Sequence, residues 1–203
     1  MRNLTLQQAE DALHWMMLCT RKALKRAVDE DIVKFKARNY VGPEPSHETL
    51  AGYCGFAQSY AHCMIEDYNL GQSRPLAMQT LPGRWSFGHV ALIVKMDTTA
   101  GNKTFLLDPT FKQFQGKEEK ILQNLPDGEY MADCLRQDGF VELTPERSVS
   151  YLSAFCCGIN PFLTKEMAVT FIENPPPNYN NLWFPRTDLR DKGYPFKPAP
   201  PGL

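Results

Sequence analysis

The chain has 203 residues, 43% of them hydrophobic and 22% charged, which is the composition of one globular domain with or without a helical extension. Twenty-two basic residues against 23 acidic ones give a formal net charge of -1, which argues against a broad nucleic-acid-binding surface. No apolar run approaches the roughly 20 residues of a membrane span, and the first residues, MRNLTLQQAEDALHWMM, lack the apolar centre of a signal peptide.

Residues 5–38 read as helix, because Leu6, Ala9, Leu13, Met16, Met17 and Leu24 recur at helical spacing. A break near Val28–Asp31 is expected, giving two helices. Gly42-Pro43-Glu44-Pro45-Ser46 reads as a loop. A second helix follows Gly52, with Phe56, Tyr60, Cys63 and Met64 on one face, and Gly71 and Pro75 close that region. Leu76–Leu81 is a candidate strand and Pro82-Gly83 a turn. Phe87–Lys95 is a strand rich in β-branched residues, and Thr104–Asp108 is a third strand ended by Pro109. These spacings suit an antiparallel meander. Further helices are expected over 118–125, 144–155 and 164–172, the last with Thr164 as N-cap. The proline-rich tail cannot be helical and is expected to be extended, packing in part through Trp183, Phe184 and Phe196. The expected division is a helical part over 1–41, a catalytic core over 42–174 and the tail over 175–203, in an α+β fold.

Six cysteines, none in a C-x-x-C pair, read mostly as free thiols in a reducing compartment. His62 and Cys63 lack the spacing of a zinc set with Cys54, so no metal and no cofactor is expected. Cys54 is the candidate nucleophile. It stands at a helix start, where the dipole favours a thiolate and backbone N–H groups can receive an oxyanion. His89, after Gly88 at the head of an apolar strand, is the candidate base. Asp108, at the end of the next strand, can sit beside His89 and hold its tautomer. His47, in a proline-rich loop, is the alternative base. The Cys54 backbone N–H is the default oxyanion donor, and Gln79 on the preceding strand is a speculative second one.

The segments Gly52-Tyr53-Cys54-Gly55-Phe56-Ala57, Gly88-His89-Val90-Ala91-Leu92-Ile93-Val94 and Phe105-Leu106-Leu107-Asp108-Pro109-Thr110 stand in an order that resembles the papain-like and transglutaminase-like superfamily. That superfamily includes arylamine acetyltransferases and bacterial effector glutamine deamidases. The resemblance covers about residues 50–112, and the Asp-Pro-Thr ending is most similar to the transglutaminase-like pattern. It implies a papain-like fold with the nucleophile helix on a small antiparallel sheet. It also implies a Cys-thioester mechanism, with Cys54, His89 and Asp108 as catalytic residues. Papain-like enzymes often place a glutamine shortly before the cysteine. Here Ser46-His47-Glu48-Thr49-Leu50 holds none, so a papain-type oxyanion hole is not expected. The resemblance favours a deamidase or transglutaminase-like enzyme acting on a protein substrate. A cysteine peptidase, an arylamine-type acyltransferase and a non-catalytic binding protein on the same fold are the alternatives. The expected location is the cytoplasm, with a signal-less secretion route into a host cell left open.

Overall fold

A computed structural model describes residues 3–38, 44–79, 88–114, 116, 118–155 and 164–173. Among them the chain forms an α+β fold around a four-stranded antiparallel sheet with strands in sequence order. The strands are β1 (Gln72–Gln79), β2 (Gly88–Thr98), β3 (Gly101–Leu107) and β4 (Phe140–Glu142). The expected meander is present, and β4 adds an edge that the periodicity did not announce.

Helix α1 (Leu6–Lys36) opens on a capping box, in which Thr5 Oγ1 accepts from Gln8 N–H and Gln8 Oε1 accepts from Thr5 N–H. It runs 31 residues without interruption, so the break expected near Val28–Asp31 is a misreading. That stretch contains no glycine or proline. Ion pairs Lys25–Asp29 and Arg26–Glu30 also bridge it at the i,i+4 spacing that supports a helix. No helix among the described residues is long and apolar enough to cross a membrane.

Helices α1 and α2 (Cys54–Tyr68) cover one face of the sheet, where Leu13, Met16 and Met64 pack on Leu92, Val94 and Phe105. Each such side chain contributes about 1.5–3 kcal/mol by leaving water. The opposite face receives α3 (Glu118–Gln123), α4 (Gly128–Gln137), α5 (Pro145–Phe155) and α6 (Lys165–Glu173). There Met131, Leu135, Tyr151 and Leu152 meet Ile93, Leu106 and Val141. Helices α3, α5 and α6 match the expected ones to within two residues, and α4 went unread. Gly128 opens α4 tightly against the preceding segment: a Cβ there would stand 1.7 Å from the Leu122 carbonyl oxygen, so no other residue fits. Thr80, Leu81, Pro82-Gly83, Phe87, Cys156, Cys157 and the tail, with its Trp183, Phe184 and Phe196, lie outside the described residues.

Candidate active site

The turn before α2 aims its first residue. Leu50 and Gly52 both have positive φ, +53° and +84°, and Tyr53 N–H donates to Leu50 O at 3.2 Å. Glycine takes the second of these conformations without steric cost. Tyr53 is the N-cap but offers no side-chain hydrogen bond to the first turn. The leading N–H groups of α2 have no intrahelical acceptor, so they remain aimed at whatever anion lies there. Cys54 is that first residue, and it is 5% exposed.

The β2–β3 ladder ends at Leu92–Leu107, and beyond it the chain turns off through Pro109. His89 and Asp108 both lie past this last pair. They are therefore not ladder partners, as a strict cross-strand reading would have them. Alternation nevertheless puts them on the face shared by Ala91, Ile93 and Leu106, and His89 Nε2 donates to Asp108 Oδ2 at 2.7 Å. The pair is 2% and 1% exposed. The Cys54 sulfur hydrogen-bonds the His89 ring and also receives the Val90 backbone N–H, beyond the end of the ladder. The three residues singled out from sequence thus meet at one point.

Asp108 is held from several sides. Its Oδ1 accepts from Thr110 N–H at 3.2 Å and from Thr110 Oγ1–H at 3.0 Å. Its Oδ2 takes the Tyr151 hydroxyl, on α5, at 3.3 Å in addition to the imidazole. The Asp108 backbone N–H donates to Gly139 O at 2.8 Å. A short 3-10 helix, Phe111–Phe114, follows directly and supplies Gln113. Gln113 Nε2 lies 3.1 Å from His89 Nδ1 and 3.2 Å from Thr110 Oγ1. Because the Thr110 hydroxyl proton goes to Asp108, its oxygen can only accept from Gln113. That fixes the amide with its NH2 toward the ring. A neutral ring in this network carries its proton on Nε2 and accepts from Gln113 at Nδ1, so Gln113 favours the neutral form against the charged one.

The electrostatics favour a charge-separated pair. Burial pushes the Cys54 thiol up, but the His89 hydrogen bond and charge, helped by Val90 N–H, outweigh it and hold the thiol below its ordinary value. Burial pulls His89 down. The Asp108 charge and hydrogen bond, followed by those of Cys54, overcome that and raise it to about 9.

His47 Nε2 instead meets Asp29 Oδ1 at 2.8 Å on the flank of α1, exposed to solvent. His62 Nδ1 meets Ser73 Oγ at 2.7 Å. Gln79 pairs through its backbone with Gly88, and its side chain lies outside the described residues. Cys19, Cys54, Cys63 and Cys134 are not in disulfides. Among the described residues no three His, Cys, Asp or Glu side chains gather as metal ligands. Thr110, Gln113 and Tyr151 are site residues that sequence reasoning did not assign. Thr110 could have been found from the tendency of an Asp to bond the backbone two residues on. Nothing in the spacing of Tyr151 points to the site. No known protein family, no curated protein and no solved structure matches this chain.

Proposed function

We propose that the protein is a thiol enzyme of papain-like and transglutaminase-like design that attacks a carboxamide through a Cys54 thioester. The observation that carries this reading is the hydrogen-bonded series Cys54–His89–Asp108 at the head of α2, with the thiol lowered and the imidazole raised. A sulfur buried only for packing would have apolar neighbours and a raised pKa.

The Cys54 thiolate adds to the amide carbon, and the leading N–H groups of α2 receive the oxyanion. The C–N bond breaks as the His89 imidazolium gives its proton to the departing amine, leaving a thioester. Water then adds while His89 takes its proton, and the acid and free thiol are released. An amine in place of water yields a new amide. Asp108 and Thr110 keep the imidazole aligned through both halves.

The substrate is most simply the side-chain carboxamide of a protein glutamine. A residue as buried as Cys54, 5% exposed, is reached by a group on a slender stem, whereas a peptide bond brings bulky backbone on both sides. Deamidation or transamidation is therefore preferred over peptide cleavage.

The test begins with iodoacetamide. Cys54 is expected to alkylate well below pH 7, as a thiol of ordinary reactivity with a pKa near 8.5 does not. Intact-mass analysis of candidate proteins then separates amide-to-acid conversion, crosslinking and cleavage. An alkylation midpoint at or above the ordinary thiol value would falsify the enzyme reading.

A further inference from the structure

One cleft is bordered by both turns that carry the site. It has a volume of about 290 Å³, at the small end of the roughly 300–1,000 Å³ typical of ligand clefts. Leu50, in the turn that leads to Cys54, forms one wall, and Pro109 and Lys112, just past Asp108, form another. Helix α1 contributes Arg21 and Lys25, and the end of α4 contributes Arg136. Among the described residues no carboxylate lines the cleft.

The charges behind this lining are unevenly balanced. Lys25 pairs with Asp29 at 3.0 Å, and Arg136 lies against Glu119 and Asp133. Lys112 has no ion pair among the described residues. Arg21 has its guanidinium over Gly139 and feels Asp138 only through its charge, with no hydrogen bond between them among the described residues. Two cations thus face the cleft with little local compensation. Between them the wall is apolar, with Leu50 partly exposed at its surface and the buried Leu24, Pro109 and Leu135 behind it.

We propose that this cleft is a substrate subsite that binds an acidic segment of the target protein, one apolar side chain packing on Leu50 and flanking carboxylates meeting Lys112 and Arg21. This rests on the proposed function, which requires a protein substrate to lie across the two turns. Charge complementarity selects an acidic occupant. The apolar wall selects a peptide over a simple mineral anion, which has nothing to bury there.

The experiment is an NMR titration of the full chain with two synthetic peptides, a Glu-rich one carrying a central Leu and its Lys-for-Glu counterpart. The acidic peptide is expected to shift the backbone amides of Arg21, Leu50, Lys112 and Leu135, and its affinity should fall as salt rises. Lys112→Glu combined with Arg21→Glu should weaken it about tenfold or more. Lys112→Ala should weaken it less, which guards against a misfolded double variant. Preference for the Lys-rich peptide, shifts elsewhere, or equal binding by the double variant overturns the proposal. Pyrophosphate moving the same amides while the acidic peptide moves none also overturns it, in favour of a small-anion site. The titration does not involve the thiol. An inert Cys54 would remove the proposed chemistry while leaving this binding result to stand or fall on its own.

Discussion

The two faces of the sheet bury apolar surface alike, but only one of them carries a buried carboxylate shared among separate segments. On the α1–α2 face, Thr20 Oγ1 donates to Met16 O and Ser59 Oγ to Gly55 O, each within its own helix. On the opposite face, the Asp108 carboxylate accepts from Thr110 twice, from His89 and from Tyr151, which come from three separate segments. A locally satisfied group can be removed with little consequence beyond one helical turn. A carboxylate shared among segments ties the assembly of the domain to the geometry of its acid–base pair. Cys54, contributed by the first face at the very end of a helix, takes part in the chemistry without carrying that structural duty.

The sharpest way to break this comparison is a matched pair of substitutions. Asp108→Ala should cost about 3–5 kcal/mol in urea unfolding, because it strands a buried imidazole and the Tyr151 and Thr110 donors. Thr20→Val should cost less than about 1 kcal/mol, since the Thr20 hydroxyl only backs onto its own helix. Comparable losses in the two variants would mean that the network does not concentrate stability as its geometry suggests.

His89→Ala comes next, and its main effect is on reactivity. Removing the imidazole leaves burial and the Asp108 charge, which push the Cys54 thiol up, against the Val90 N–H alone. Alkylation at pH 6 should fall, by at most about tenfold for each unit the thiol rises. Stability should also respond to pH, with the sign set by the raised His89. The protonated ring is favoured in the fold, so its contribution is complete below the ordinary 6.5 and is lost as pH rises through about 9. The lowered thiol acts oppositely, adding stability above its ordinary 9.0 that disappears as pH falls through its lowered value. Cys54→Ser removes that opposing contribution. It should leave a protein whose unfolding free energy declines from pH 6.5 toward 9, and a flat profile would contradict the His89–Asp108 coupling.

The same contrast between faces explains what could be read in the sequence. Helix α1 and strand β2 announce themselves through period, and the nucleophile face is built from such elements. The Cys54, His89 and Asp108 positions were legible because each sits at an element boundary with a glycine or proline beside it. The break expected near Val28–Asp31 is absent because charged residues at i,i+4 spacing support the helix there. Helix α4 follows Pro126-Asp127-Gly128, whose turn-forming composition masks a helix start set tightly against Leu122. With α4 unread, β4 had no anchor in the reading. Tyr151 is buried on α5 like any core aromatic, and only the tertiary fold brings its hydroxyl to Asp108. Local patterns identify residues on elements; they do not say which distant donors complete a carboxylate.

Tyr151→Phe tests that distant contact on its own. The hydrogen bond is long, 3.3 Å, and the ring would keep its packing against Phe155. A loss of about 0.5–1.5 kcal/mol in urea unfolding is expected, with Cys54 still reacting below pH 7. A loss as large as that of Asp108→Ala would place the burden on the tyrosine rather than on the shared carboxylate.

The smallest expected effect comes from Gln113, and it has a definite direction. Its amide donates to His89 Nδ1, so it stabilises the neutral ring and opposes Asp108 and Cys54, which stabilise the charged one. Gln113 is half-buried on the 3-10 helix, so its removal opens little of the core. A hydrogen bond of this kind contributes about 0.5–1.5 kcal/mol. One pKa unit corresponds to about 1.4 kcal/mol, so Gln113→Ala should raise the His89 titration above about 9 by no more than about one unit. Gln113→Glu replaces a donor with an acceptor and should move it further in the same direction. An NMR titration of the His89 ring reads both shifts directly. A downward shift in either variant would mean that the amide turns its oxygen to the ring. Thr110 Oγ1 could not then be spending its own proton on Asp108 while receiving one from Gln113, and the polar network around the carboxylate would have to be redrawn from that point outward.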